Sequence, residues 1–331
     1  MSRRAERERR MLFDVYSKNA ELFDEKYKGL FVCPLCLRAF NQQGLGGLIA
    51  GNKVQPFLAL AHLFPEALGG KLTTLSCRDC ECGMGTKYEK QLVEHFAAME
   101  CVEGSGKRRA RIETPVGPLA ATFEWKDGKF EINAHYKNNN PVTMRQALGQ
   151  TFKDGKGTIT IEGANWKFAR LGFLHGAYLA MFKMYGYEYL ATQAAMALRK
   201  LLIDDPTATT APYRFVYVES WNGTSSIRHE SVGTVRVNGT LLCNAAVFKA
   251  PTKRHFATVI MLPGFGPEHE RRFEEQLLED KETQFDYTPI PWDKANEWLK
   301  DPDFFGSGHH FWKGASEDES PFPNPAERGD G

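Results

Sequence analysis

Three segments between residues 31 and 80 carry the clearest structural signal in this chain: FVCPLCLRAF at 31–40, AHLFPEALGG at 61–70 and LSCRDC at 75–80. The first and third segments each hold a Cys-x-x-Cys pair, and 40 residues separate the two pairs. Such a pair lets the backbone turn tightly enough for both sulfurs to face one point, so two pairs can surround one tetrahedral zinc ion. The sequence therefore predicts a structural zinc site with four ligands, Cys33, Cys36, Cys77 and Cys80.

Length and composition limit the class of protein. A chain of 331 residues is long enough for two domains or one large domain. Its hydrophobic content of 42% and charged content of 25% are those of a globular protein, and they exclude collagen, coiled coil and wholesale disorder. No uncharged apolar run reaches the roughly 18–20 residues that span a bilayer. The Arg-rich N-terminus lacks the apolar segment of a secretory signal, so we expect a cytoplasmic protein with no membrane partner.

The net charge of +1 hides an uneven distribution. Residues 1–112 carry 18 basic and 13 acidic side chains, a balance of +5, and the remainder has a balance of −4. A basic surface attracts phosphate whatever charge the rest of the molecule carries, which favours nucleic acid as the partner of the N-terminal third. Six of the seven cysteines also lie in this third. In a reducing compartment, clustered cysteines favour a metal site over disulfides.

Hydrophobic patterning predicts an α+β fold in four parts. These parts are a charged N-terminal helix (1–30), the cysteine-bearing module (31–103), a mixed α+β accessory domain (104–300) and a flexible tail (301–331). Gly104-Ser105-Gly106 is the expected boundary between the module and the accessory domain.

Two local signals refine this plan. Thr86 and Glu89 have the spacing of a capping box, which predicts that the module's helix begins there. In the accessory domain, alternating segments predict strands on both sides of an Asp127-Gly128 turn. The longest apolar-periodic stretch, residues 165–203, predicts two helices that are broken near Gly186.

The order of these features resembles the HNH endonuclease family, also called ββα-metal nucleases. That order is a cysteine pair, a strand with a histidine, a proline, a Gly-Gly turn, a second cysteine pair and a helix, and here it spans residues 31–100. The resemblance implies a zinc-stapled ββα module.

The resemblance also implies an activity, metal-dependent hydrolysis of phosphodiester bonds in nucleic acid, with DNA as the favoured substrate. His62 matches the general base that activates water, a role that suits the ordinary pKa of histidine. A catalytic Mg²⁺ or Mn²⁺ would stabilise the charge that develops on the phosphate. Glu81, directly after the last knuckle cysteine, occupies a position that often binds this metal, and Glu89 is a reserve ligand. Lys71, Arg78 and Lys87 are the candidate phosphate contacts.

One departure from the family pattern keeps two other functions open. Many members carry an acidic metal ligand immediately before the histidine, where this chain has Ala61. A zinc-stabilised protein that binds nucleic acid without cleaving it is therefore the first alternative. A protein-interaction module, in which zinc only stabilises the fold, is the second. The sequence leaves the oligomeric state open.

Overall fold

The computed structural model has a mixed α+β fold, as the sequence predicts. It describes residues 3–49, 52–54, 56–102, 104–114, 117–134, 139–151, 158–161, 163–204, 206–207, 210, 213–218, 230–237, 239–249, 257–262, 271, 275 and 285–300. Within these ranges, no helix combines the length and apolar character that crossing a membrane requires. The tail predicted at 301–331 lies outside the described residues.

The described chain contains eight α-helices and fifteen strands. The helices are α1 (Arg3–Phe23), α2 (Arg78–Met84), α3 (Lys90–Val102), α4 (Pro141–Thr151), α5 (Trp166–Tyr185), α6 (Tyr187–Leu190), α7 (Gln193–Ile203) and α8 (Trp292–Trp298). The strands are β1 (Phe31–Val32), β2 (Ala39–Phe40), β3 (Gly47–Ile49), β4 (Asn52–Val54), β5 (Leu58–His62), β6 (Thr73–Cys77), β7 (Lys107–Glu113), β8 (Leu119–Lys126), β9 (Lys129–Ala134), β10 (Thr158–Ile161), β11 (Arg214–Val218), β12 (Glu230–Val237), β13 (Thr240–Lys249), β14 (Ala257–Leu262) and β15 (Phe285–Ile290).

The chain divides into two compact units, one of residues 1–89 with 170–331 and one of residues 90–169. This division does not fall at the Gly-rich boundary expected near Gly104. The reason is that α3 packs on the strands that follow it, where Cys101, Ala110 and Phe123 form one buried cluster. The burial of apolar side chains thus sets the boundary, and a flexible composition alone does not reveal it.

In the first unit, α1 is an amphipathic helix. Leu12, Phe13 and Tyr16 are buried on one side, and apolar residues three and four positions apart place them together. The predicted helix over residues 1–30 is shorter in the structure. It ends at Phe23 because the Asp24 side chain accepts a hydrogen bond from the backbone N–H of Lys26 and begins a short 3-10 turn.

Strands β5 and β6 form the antiparallel hairpin that carries the central sequence segment. His62 pairs with Thr73 at one end, and Leu58 pairs with Cys77 at the other. The connection needs glycine at position 70, because a Cβ there would lie 1.8 Å from the carbonyl oxygen of Phe64.

The helix after β6 begins earlier than predicted. α2 starts at Arg78 and continues through a π-helical turn, Gly85–Glu89, into α3. The predicted start at Thr86 is wrong because Thr86 and Glu89 both lie inside this helical run. The run of helix therefore starts within the second cysteine pair, which places Cys80 and Glu81 in the first helical turn.

Helix α5 supplies much of the core of the first unit. Within it, Phe173 and Phe182 are fully buried. Gly176 permits a close approach to the hairpin, since a Cβ at this position would lie 2.2 Å from the carbonyl oxygen of Leu63. The predicted break near Gly186 is confirmed, because Gly186 has a φ of +62° between α5 and α6.

A five-stranded antiparallel sheet completes the first unit, in the order β11-β14-β13-β12-β15. Val235, Cys243 and Val247 belong to its buried cluster. Phe248 of β13 stacks on Phe64, which follows β5, with ring centroids 5.1 Å apart. This contact connects the sheet with the hairpin that carries His62.

The second unit is a four-stranded antiparallel sheet, in the order β10-β7-β8-β9, with α3 and α4. The predicted Asp127-Gly128 turn is confirmed by the positive φ angles of both residues, 50° and 76°. Met144 and Ala147 of α4 are buried with Ile112 of β7, so α4 covers part of the sheet.

Candidate metal centre and catalytic site

The four cysteines of the two pairs converge at one point, as the sequence predicts. Cys33 and Cys36 lie between β1 and β2, Cys77 ends β6, and Cys80 lies in the first turn of α2. Their Sγ atoms all lie within 4.8 Å of one another, and those of Cys36 and Cys77 are 3.6 Å apart. Four thiols at this spacing could hold a metal ion. Cys82 is exposed and is not part of the cluster.

A tight turn shapes the first cysteine pair. The N–H of Leu37 donates to the carbonyl of Cys33 at 2.9 Å, and the N–H of Cys33 donates to the carbonyl of Arg38 at 2.9 Å. Leu37 takes a left-handed conformation, with a φ of 59°, to close this turn. The second pair needs no such turn, because the strand-to-helix junction brings Cys77 and Cys80 together.

Arg38 lies against the cysteine cluster. Its Nε donates to Cys36 Sγ and its Nη2 to Cys77 Sγ, both at 3.4 Å, and Nη2 also contacts Asp79 Oδ2 at 2.6 Å. The neighbouring thiols Cys33, Cys77 and Cys80, together with Arg38, hold the pKa of Cys36 well below its ordinary value. The guanidinium therefore offsets negative charge on the thiolates that a metal ion requires.

His62 lies at the end of β5, half-buried, opposite Thr73 of β6. The next pair along the hairpin is joined by a 3.0 Å hydrogen bond from Leu63 N–H to the Leu72 carbonyl. His62 and Thr73 therefore form a non-hydrogen-bonded pair, in which the two side chains share one face of the hairpin and lie close together. Ala61, on the opposite face, is fully buried.

Two charged side chains from other elements bind Thr73. Its hydroxyl donates a short hydrogen bond to Glu8 of α1. Its carbonyl accepts a 2.8 Å hydrogen bond from Nζ of Lys183, near the end of α5. Burial lowers the pKa of Lys183, and the negative charges of Glu8 and Glu230 oppose this effect. The residue opposite His62 is thus fixed by a carboxylate and an ammonium group.

Glu230, the first residue of β12, is a third charged group beside this hairpin. It is only 2% exposed. Its Oε2 accepts hydrogen bonds from the backbone N–H groups of Lys71, at 3.1 Å, and Leu72, at 2.9 Å. Burial raises the pKa of Glu230, while those two amides and the charge of His62 favour the ionised form. Glu230 therefore binds the connection that follows His62 and lies within electrostatic range of the imidazole.

Glu81 does not face solvent, although it lies in the first turn of a helix. Its carboxyl group interacts with Ser76 of β6, and burial and the charge of Glu89 raise its pKa to about 8. Its Oε2 is buried and has no hydrogen-bond partner among the described residues. Burial also raises the pKa of Glu89, to about 7. Two partly buried carboxyl groups thus interact electrostatically.

His175 of α5 lies beside Glu89. Its Nδ1 is 3.7 Å from Glu89 Oε1, which is too long for a hydrogen bond. The imidazole is 1% exposed, and burial lowers its pKa to about 4. His175 is therefore neutral near pH 7, and the contact is not an ion pair.

Outside the cysteine cluster, the described residues contain no group of three or more His, Cys, Asp or Glu ligand atoms close enough to share one metal ion. A catalytic cation at Glu81 would therefore have at most two side-chain ligands of these types among the described residues. Magnesium accepts such a site, because it commonly binds one or two carboxylates and completes its shell with water and substrate phosphates. The buried Oε2 of Glu81 and the nearby Glu89 carboxyl group fit this donor set.

The three candidate phosphate contacts are exposed, each on a different part of the module. Lys71 lies in the connection between β5 and β6, and its backbone N–H donates a hydrogen bond to Glu230. Arg78 begins α2, with its backbone N–H bound to the carbonyl of Phe57 at 2.7 Å. Lys87 lies in the π-helical turn, 5.1 Å from the ring centroid of Tyr88.

Glu8, Lys183 and Glu230 are the residues around His62 that the sequence did not identify. Lys183 has a sequence signal, since it is the single Lys or Arg in the apolar run at residues 171–185. Glu8 is one carboxylate in a highly charged helix. Glu230 has no recognisable motif around it, and 168 positions separate it from His62 in the numbering.

Comparison of the chain with protein-family models, with curated proteins and with solved structures finds no match. Function is therefore inferred from the residues and contacts of this chain alone.

Proposed function

We propose that this chain is an HNH-type, metal-dependent endonuclease that hydrolyses phosphodiester bonds, with DNA as the favoured substrate. The observation that carries the proposal is the β5–β6 hairpin, which has His62 at the end next to its connecting loop and leads directly into a helix. The four-cysteine cluster lies at the opposite end of this hairpin. This is the spatial arrangement expected from the order of elements in the ββα-metal family.

The cysteine cluster would hold structural zinc. Zinc prefers four thiolates in tetrahedral geometry, and this cluster joins the β1–β2 turn to the β6–α2 junction. We expect close to one zinc per chain, and we expect Cys77→Ser to lose it along with the fold of the module. A folded wild-type protein that contains no zinc would contradict this assignment.

His62 would act as the general base that takes a proton from the attacking water. The hydroxide then attacks phosphorus, the bond to the 3′ oxygen breaks, and the released 3′ oxyanion takes a proton from water, which leaves a 5′-phosphate and a 3′-hydroxyl. Thr73 lies opposite His62 in the hairpin, and its contacts with Glu8 and Lys183 fix this part of β6. Glu230 holds the chain after His62, and its negative charge stabilises the imidazolium that forms when the proton is transferred.

Glu81, with Glu89 beside it, would hold the catalytic Mg²⁺ or Mn²⁺. When bound, this cation supplies charge stabilisation for the phosphate and the leaving oxygen. It would also relieve the repulsion between the two carboxyl groups, whose raised pKa values show the cost of burying their charges. Lys71, Arg78 and Lys87 would bind phosphates on the substrate.

Nicking of supercoiled plasmid tests this proposal. Wild-type protein with Mg²⁺ or Mn²⁺ should convert the plasmid to the open-circular form, and His62→Ala should not, at equal zinc content. Imidazole added to His62→Ala should restore part of the rate, because a free base can enter the vacated space. Nicking by His62→Ala at the wild-type rate would refute the assignment of the base.

A non-cleaving protein that binds nucleic acid is the second candidate, and Ala61 favours it. This residue cannot bind metal, and it is fully buried on the face of the hairpin opposite His62. Salt-sensitive DNA binding by the wild type without nicking in either metal would support this candidate. Absence of both binding and nicking would leave a protein-interaction module.

A further inference from the structure

Helix α1 has an outer face that is unusually rich in positive charge. Arg3, Arg7, Arg10 and Lys18 are all exposed, and their spacing places them within one side of the helix. The opposite side is buried and includes Leu12 and Phe13, so the basic side chains cannot turn inward. Arg9 shows the contrast, since it is buried on the inner side and binds the carbonyl of Leu58.

A groove of about 370 Å³ runs along this face. The residues that line it are Arg7, Arg10, Met11, Asp14, Val15, Lys18 and Lys300. Four of them are cations and one is an acid, while Met11 and Val15 provide an aliphatic floor. Lys300 follows α8, so the groove is formed by two separate parts of the first unit.

The cations of this groove are not ion-paired within the described part of the protein, although Asp14 also lines the groove. Neither Arg7, Arg10, Lys18 nor Lys300 forms an ion pair with a described acidic residue. Two nearby carboxylates of α1 are engaged elsewhere. Glu8 accepts from Thr73, and Glu21 pairs with Lys28.

We propose that this groove binds the sugar–phosphate backbone of nucleic acid. The phosphates of a polyanion would pair with the guanidinium and ammonium groups that line the groove. Arginine suits this role because its guanidinium can donate two parallel hydrogen bonds to phosphate oxygens. From Arg7 to Lys18 the helix rises about 16 Å, a distance over which one DNA strand carries about five phosphates. The groove can therefore contact several phosphates at once.

The position of α1 connects this groove with the proposed active site. On its inner side, Glu8 binds Thr73, the residue opposite His62, and Tyr16 hydrogen-bonds Thr74 at 2.7 Å. A strand held in the groove is thereby fixed relative to the hairpin. The choice of nucleic acid rather than another polyanion rests on the proposed function.

The experiment measures binding of a short fluorescent DNA duplex in the His62→Ala background, which keeps the duplex intact. The test variant adds Arg7→Ala, Arg10→Ala and Lys18→Ala. The matched control adds Lys26→Ala, Lys28→Ala and Lys294→Ala, which removes the same charge from lysines that are already paired with acids. The readout is the slope of log affinity against log salt concentration.

We expect the test variant to lose about 2.7 from the magnitude of this slope, because each neutralised phosphate contributes about 0.9. The control should keep the parent slope. An unchanged slope in the test variant would overturn the inference, whether or not the protein cleaves DNA. A second arm uses phosphatidylserine vesicles, and loss of vesicle binding with unchanged duplex binding would also overturn it. A reduced duplex slope without plasmid nicking by wild type would keep the groove and refute only the nuclease.

Discussion

The contacts of Arg38 in the structure give it a role that its position in the sequence does not reveal. In the sequence it is one of several cations near the cysteine pairs. In the structure its guanidinium binds two cysteine sulfurs and Asp79. Such outer contacts stabilise thiolates and orient metal ligands, so Arg38 would support a metal ion held by the four cysteines.

Replacing Arg38 should weaken the metal centre without removing any ligand. We expect Arg38→Ala to lower zinc affinity by about 10- to 100-fold, the usual effect of losing an outer-shell partner. Competition with a chelator measures this change. Arg78→Ala is the control, because Arg78 is exposed and directly follows Cys77 in the chain. Equal zinc affinity in Arg38→Ala and Arg78→Ala would contradict the assigned role.

Glu89 should make the protein less stable as pH rises. Burial raises its pKa from 4.5 to about 7, so the folded state keeps a proton that the unfolded state releases. The stabilisation is complete at low pH and is lost as pH rises through 7. This one group should reduce the free energy of unfolding by about 1 kcal/mol between pH 6 and pH 8.

Denaturant unfolding of wild type and Glu89→Gln at pH 6 and pH 8 measures this dependence. Glu89→Gln should show a smaller decrease in stability, because glutamine does not titrate. The exposed Glu66→Gln serves as the control and should follow wild type. A decrease as large in Glu89→Gln as in wild type would show that Glu89 is already ionised at pH 6.

At the scale of elements, the features that the sequence predicted correctly are those with local signals. The Asp127-Gly128 turn and the break at Gly186 both require positive φ angles. Glycine adopts these angles readily, so its presence in the sequence predicts them. The start of the helix after β6 was mispredicted, because a capping box at Thr86 is also compatible with the middle of a helix. The helix begins eight residues earlier, at Arg78, directly after Cys77 ends β6.

A substitution at Gly176 tests how closely α5 approaches the β5–β6 hairpin. A Cβ at this position would lie 2.2 Å from a backbone oxygen, that of Leu63, which cannot move without disturbing β5. We expect Gly176→Ala to destabilise the first unit by about 1–3 kcal/mol through overpacking. Gly149→Ala is the matched control, since it is also helical and a Cβ there meets nothing within 4 Å.

Thermal or denaturant unfolding compares the two glycine variants. Gly149→Ala should be neutral or stabilise the protein by up to about 1 kcal/mol, because alanine favours the helix. If Gly176→Ala behaved in the same way, the close contact between α5 and the end of β5 would be disproved.

At the scale of the whole molecule, the site around His62 depends on residues far apart in the chain. The cysteines and the histidine could be found from the sequence, because their spacing is local and chemically specific. Glu8, Lys183 and Glu230 could not, because only the tertiary fold brings α1, α5 and β12 to the hairpin. The burial of Glu81 was missed for the same reason, since only the folded chain brings its carboxyl group against Ser76 and near Glu89.

Substitution of Glu230 tests how much its contact with the β5–β6 connection contributes to the stability of the protein. Glu230→Ala leaves the amides of Lys71 and Leu72 without their acceptor, so we expect a loss of about 2–4 kcal/mol in stability. Glu230→Gln keeps an acceptor oxygen and should lose less. Denaturant unfolding of both variants measures the difference, and equal stability of Glu230→Ala and wild type would contradict the structural role.

Cleavage of an end-labelled DNA duplex by wild type and His62→Ala, at equal zinc content, tests the central claim most directly. With Mg²⁺ or Mn²⁺, wild type should give products with a 5′-phosphate and a 3′-hydroxyl, because attack on phosphorus displaces the 3′ oxygen. His62→Ala should give no product above the rate without protein. Wild type that binds the duplex but never cleaves it, or His62→Ala that cleaves as fast as wild type, would contradict a nuclease built on His62.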